Sequence, residues 1–211
     1  MAKTEHYYTQ FEEENFYHVY NRTVDKKPMF KNRGNYEYFL RQYDKYLSPV
    51  AATYSYCLLS NHFHLLIRIS DLKNLKNFES SNSKNTESNK TVHQIVSHQF
   101  RKFFQSYSMA FNLKYNRIGT LFQTPFKRVE VDKDEYFTQL VYYIHANPQL
   151  HGLIKDFREW EWSSYSRILI NKPSKLKKKE VLDWFGGEER YIQFHREHHE
   201  NILNTLAFNF D

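Results

Sequence analysis

From Tyr56 to Ile69 the chain is almost continuously apolar, broken only at Ser60, Asn61, His62, His64 and Arg68. Such a pattern predicts strands at 52–59 and 62–69. Residues two apart on a strand share a face, so His62 and His64 point one way while Phe63 and Leu65 point the other. Upstream, 14–24 reads as a strand, and 33–47 as a helix with Tyr36, Phe39, Leu40 and Tyr43 on its inner side. Downstream, 71–90 is rich in Ser, Asn and Lys and reads as a flexible insertion. A helix is expected over 91–114, with Phe100, Phe104, Tyr107 and Phe111 as its buried stripe, then a strand at 126–132 and a helix at 133–146. The order β, α, β, β, α, β, α predicts an α+β protein, a ferredoxin-like or RRM-like antiparallel sheet with helices packed on one face. A helix at 188–205 closes a C-terminal tail, so the expected organisation is a domain at 1–170 and a basic linker with a helical tail at 171–211.

The helix at 133–146 carries a second pattern. Phe137, Leu140, Val141 and Ile144 make its apolar face. Tyr136, Gln139, Tyr143 and Asn147 form a polar stripe along one flank, at about 100° per residue. Tyr143 and Asn147 are therefore neighbours, while Tyr142 lies a further turn of the wheel away and pairs with Ala146. Pro148 disfavours helical geometry at Asn147 and is expected to end the helix there. Two imidazoles on one strand face leave two readings open, hydrogen-bonded sheet residues or a metal pair.

A His-hydrophobe-His strand followed by Tyr143-Ile144-His145-Ala146-Asn147-Pro148 resembles the HUH single-tyrosine transposases, and most closely their REP-associated tyrosine transposase branch. Phe16-Tyr17-His18-Val19-Tyr20-Asn21-Arg22 is similar to that family's first strand. Gly119-Thr120-Leu121-Phe122-Gln123 is similar to its Gly-x-Leu-Phe-Gln turn, and Trp162-Ser163-Ser164-Tyr165 to its Trp-Ser-Ser-Tyr segment. These stretches span 14–168 in family order. The resemblance implies that His62 and His64 are metal ligands at the centre of the sheet, that Asn147 is a third ligand, and that Tyr143 is the nucleophile. It also implies transesterification of single-stranded or hairpin DNA, in transposition or repeat processing, through a 5′-phosphotyrosine. Two departures bear on specificity. Leu150 stands where the family has a basic residue, and Thr124-Pro125 where it has Gly-Arg.

The chemistry of these residues agrees with those roles. Imidazole nitrogen and amide oxygen, with no thiolate cluster, suit Mg²⁺ or Mn²⁺. A tyrosine hydroxyl ionises at a pH of about 10 and needs activation to attack a phosphodiester at neutral pH. Two other classes stay open: a non-catalytic nucleic-acid-binding regulator on the same fold, and a metal-dependent hydrolase in which water attacks and the tyrosine orients substrate. A homodimer also stays open, in which Tyr143 meets the histidines of its own chain or of a second copy.

Composition adds a mild bias. Lys and Arg number 30 against 24 Asp and Glu, for a net charge of +6, which suits a nucleic-acid partner without requiring one. Arg22, Arg101, Lys102, Lys114, Arg117, Lys127 and Arg128 are the candidate DNA contacts, interleaved with rings on which bases could stack. Most of those rings, at helical spacing, are expected in the core. The run Lys172, Lys175, Lys177, Lys178 and Lys179 reads as a solvated linker or as an arm on duplex backbone. His195, His198 and His199, with no acidic or thiol partners, read as surface residues, and the lone Cys57 as a small buried hydrophobe. No run approaches a membrane span and Met1–Tyr8 has no apolar signal core, so a soluble cytoplasmic protein with no membrane partner is expected.

Overall fold

The computed structural model describes residues 9–82, 89–132 and 134–208. Strands β1 (Phe16–Arg22), β2 (Ala51–Leu58), β3 (His62–Ile69) and β4 (Lys127–Val131) form one antiparallel sheet in the order β2-β3-β1-β4. In the central pair, His18 lies opposite Leu66, Tyr20 opposite His64 and Arg22 opposite His62.

Strict alternation sorts the side chains. Tyr17, Val19, Phe63, Leu65 and Ile67 meet α1 (Arg33–Tyr46) and α3 (Val92–Lys114) on one face. Asn32 caps α1 by accepting from the Asn35 N–H, and a Thr91–Gln94 capping box starts α3. Phe100, Phe103, Tyr107 and Phe111 of α3 are buried, with Phe104 packed beside them, so the aromatic stripe is core.

The α+β antiparallel sheet is as expected, but the helices are divided between both faces. On the second face Leu66, Cys57, Tyr54 and Val131 pack against α4 (Asp134–Leu150), which is joined there by α6 (Lys178–Phe185) and α7 (Glu188–Phe208). The reason lies in β3 itself. Leu65, Leu66 and Ile67 are apolar in succession, so both sides of the strand need cover.

Other expectations need correction. Part of the presumed flexible insertion is helix α2 (Leu72–Asn82), held by Leu75, which is fully buried in the first core. Residues 83–88 of that stretch lie outside the described residues, as do residues 1–8. The lysine run is solvated, as one reading expected, but its backbone is not free. Leu176 bridges to Thr53, the Lys177 N–H donates to the Thr53 carbonyl, Lys175 pairs with Asp44 at 2.6 Å, and Lys178 Nζ donates to the Ile170 and Lys172 carbonyls. The segment is thereby strapped along the β2 edge, ahead of α6. Among the described residues, no helix is long and apolar enough to cross a membrane.

His195 and His199 are buried, against the surface reading. Helix α7 brings them to the back of α4, where partners distant in sequence supply what was missing. His195 Nδ1 lies 2.8 Å from the Tyr191 carbonyl, which can only accept. His195 Nε2 therefore accepts, from His145 Nδ1 at 2.9 Å. His145 Nε2 in turn accepts from the Ser164 hydroxyl at 2.7 Å, with Ser55 Oγ also at 3.0 Å. One proton arrangement satisfies the whole chain, and both rings are neutral in it. Burial pushes His195 down to about 3 and His145 well below the ordinary histidine range.

A histidine kept neutral by the fold costs stability in acid. Above the unfolded pKa of about 6.5 neither state binds the proton. Below it the unfolded chain does and the native one does not, so stability falls as pH drops from about 6.5 towards 3, by up to about 1.4 kcal/mol per pH unit per group. Denaturant unfolding between pH 7.5 and 5 should show this loss, and His195→Gln should flatten the slope by about one proton. An unchanged slope in the variant would contradict the neutral-pair assignment.

Candidate active site

At the end of the sheet where β1 finishes and β3 begins, the second face stops being apolar. A cavity of about 330 Å³ opens there beneath α4. Its floor is Tyr20, Arg22, His62, His64 and Lys127, all on one face by the register of β1, β3 and β4. Asn21, Asn61 and Gln123 line its side, with Tyr143 and His151 from α4 and the turn after it.

The His62 and His64 rings lie 5.4 Å apart. His62 Nδ1 is 2.7 Å from Asn61 Oδ1, an oxygen that can only accept. The proton is thus assigned to Nδ1, and Nε2 keeps its lone pair. Burial lowers His62 to about 4, helped by His151 and Arg22, and lowers His64 well below the ordinary histidine range, helped by His18 and His62. Both are neutral at pH 7, the form that binds cations.

Tyr143 stands over this pair in the same chain. Its ring is 5.6 Å from His64 and 6.3 Å from His18, edge-on to both. It is 41% exposed, whereas the adjacent Tyr142 is 3% exposed and turned the other way, its hydroxyl 3.0 Å from His199 Nδ1. The helical-wheel separation of the two tyrosines therefore holds, and burial raises Tyr142 to about 12.

Asn147 lies one turn on, between Tyr143 over His64 and His151 over His62, whose rings are 5.0 Å apart. Its Nδ2 donates to the Tyr143 carbonyl at 2.7 Å. Its Oδ1 is buried with no hydrogen-bond partner. An orphaned acceptor at that position costs free energy unless something electropositive meets it. The helix does not end at Asn147 as Pro148 suggested. It runs to Leu150, and the Asn147 carbonyl accepts from His151 N at 2.9 Å. Complete burial of Ile144 and Ala146 offsets the one N–H that Pro148 removes. Among the described residues no three His, Cys, Asp or Glu side chains cluster as a metal site. The cavity lining includes the histidine pair but not Asn147, whose orphaned oxygen is the one further buried acceptor on this stretch of α4.

Of the basic candidates, Arg22 and Lys127 reach the cavity. Arg128 does not. It points to the other sheet face, is 7% exposed, and lies over the Phe11 and Phe126 rings while donating to the Thr9 carbonyl. Arg101, Lys102 and Lys114 are exposed on α3, which packs on the face opposite the cavity. Arg117 ties down its own turn, donating to the Gly119 and Thr120 carbonyls and lying 3.8 Å from Asp25. His18 and His151 were not singled out from sequence. His18 shares the alternation of Tyr20 and Arg22, and His151 continues the 143, 147 spacing, so both carried a signal.

No protein-family model matches the sequence. No curated protein matches it. Among solved structures, the fold is similar to that of a REP-associated tyrosine transposase bound to a REP hairpin, with a TM-score of 0.56 at 12% identity over 79% of this chain and 87% of that one. At that identity the likeness establishes a shared fold.

The exposure difference is directly measurable. Nitration of the native protein should modify Tyr143 and spare Tyr142, as read by peptide mass mapping. Modification of Tyr142 at a comparable rate would contradict the placement of α4.

Proposed function

We propose that the protein is a metal-dependent single-strand DNA endonuclease and strand transferase, acting through a 5′-phosphotyrosine at Tyr143 in DNA transposition or repeat processing. The observation that carries this reading is the exposed Tyr143 ring 5.6 Å from His64, over a cavity lined by Arg22 and Lys127. The fold shared with a transposase bound to a DNA hairpin supports it.

The residues fit a bound divalent ion, Mg²⁺ or Mn²⁺. His62 and His64 are neutral, and the Asn147 oxygen is buried without a partner. Held by these three side chains, the ion would supply positive charge at the oxygens of the scissile phosphate. Arg22 and Lys127 would track the backbone on either side. The Tyr143 oxygen attacks phosphorus, the 3′-oxygen leaves, and the hydroxyl proton ends on the freed 3′-hydroxyl. One phosphodiester is exchanged for another of similar energy, so a second 3′-hydroxyl can reverse the step without an external energy source. A strand, and not a stiff duplex, can bring a phosphate into the cavity beneath α4.

Tyr143→Phe is expected to abolish the denaturation-resistant protein–DNA adduct formed with Mn²⁺ on labelled hairpin DNA, while binding is retained. Adducts that persist in this variant would remove Tyr143 from the role. Binding without any adduct from the wild-type protein would favour the regulator reading, and free 5′-phosphate ends would favour hydrolysis. The salt dependence of binding checks the interface. Arg22→Ala and Lys127→Ala should each reduce the slope of log K against log salt by about 0.7, whereas Arg101→Ala should leave it unchanged.

A further inference from the structure

His18 is outside the ligand set, yet it is what His64 rests on. Its Nε2 lies 2.9 Å from His64 Nδ1, and both residues are buried. The two rings are 5.2 Å apart and within 22° of parallel, and Tyr20 stacks on both, at 4.8 and 5.5 Å.

A hydrogen bond between two neutral imidazoles has one donor, and which ring donates decides what His64 can do. If His18 donates, the proton of His64 sits on Nε2, and that nitrogen cannot take a cation. If His64 donates from Nδ1, its Nε2 keeps the lone pair. We propose that His18 is a positioning residue that accepts the Nδ1 proton of His64, fixing the tautomer and ring orientation in which His64 Nε2 is free to bind a metal. The proposal rests on the reading of His64 as a ligand. It is supported by symmetry of function within the site. Asn61 Oδ1, 2.7 Å from His62 Nδ1, imposes the same tautomer on the other imidazole, so both rings would offer Nε2. His18 also lies beside the nucleophile candidate, its ring 6.3 Å from that of Tyr143 and edge-on to it.

The test compares His18→Gln, whose amide oxygen can stand where Nε2 stands, with His18→Phe, which keeps a ring and removes the acceptor. Nitrogen-15 NMR of the metal-free full-length protein reads the His64 tautomer, and calorimetric titration with Mn²⁺ reads affinity. Thermal unfolding of each variant checks that the fold is kept. The wild-type protein and His18→Gln should show the Nδ1–H tautomer and similar Mn²⁺ affinity. His18→Phe should shift His64 towards Nε2–H and bind Mn²⁺ roughly 10- to 100-fold more weakly. A folded His18→Phe protein with the His64 tautomer and Mn²⁺ affinity of the wild type overturns the proposal. So does an equal loss of affinity in both variants with the tautomer unmoved, which marks packing alone. A wild-type protein that binds no Mn²⁺ but carries the Nδ1–H tautomer counts against the metal reading of the site, and the tautomer comparison then decides the role of His18 by itself.

Discussion

The antiparallel register of β1 on β3 is the constraint from which the site follows. With Tyr20 opposite His64 and Arg22 opposite His62, polar and aromatic groups collect at one end of a sheet face whose other end, at Phe16, Leu66 and Val131, is apolar. Helix α4 crosses both ends. Phe137 seats it on the apolar end, edge-on to Phe16 at 5.4 Å and Tyr54 at 5.9 Å. Over the imidazoles only the Tyr143 and His151 rings come down, edge-on at 5.6 Å to His64 and 5.0 Å to His62, and a cavity is left beside them. A one-residue slip would send both histidines into the aromatic core under α1 and α3.

The same helix is gripped from behind. His145, on the opposite side of α4 from the cavity, is bound into the Ser55, Ser164 and His195 chain, and Tyr142 is bound to His199. These contacts tie α4 to β2, to the segment before α5 (Tyr165–Leu169) and to α7. On the proposed reading Tyr143 meets a phosphate and needs a backbone that does not wander, and two hydrogen-bonded anchors behind it provide that. The two adjacent tyrosines thus divide the work, one holding the helix and one facing the cavity.

Much of this was legible in the sequence, for local reasons. Strand alternation is a period-2 rule, so His62 and His64 could be placed on one face without knowing what lay opposite. The helical wheel separated Tyr143 from Tyr142 for a similar reason. What failed depended on partners distant along the chain. His195 and His199 looked unpartnered because His145 and Tyr142 meet them only once α7 has docked. Arg128 looked like a surface cation because its place on the aromatic face depends on the pairing of β4 with β1. The stop at Asn147 failed because the local preference imposed by Pro148 was outweighed by burial of the residues just before it.

The central claim is that Tyr143 and the histidine pair act on the same phosphate. It is tested most directly by digesting the complex of wild-type protein with uniformly labelled hairpin DNA after reaction in Mn²⁺ and identifying the residue that carries nucleotide. The account predicts a single modified peptide, 134–150 or a fragment of it, with the 5′ end of the DNA joined to the Tyr143 oxygen. DNA joined to Tyr142, to a tyrosine outside the cavity, or cleaved with no protein linkage would contradict it.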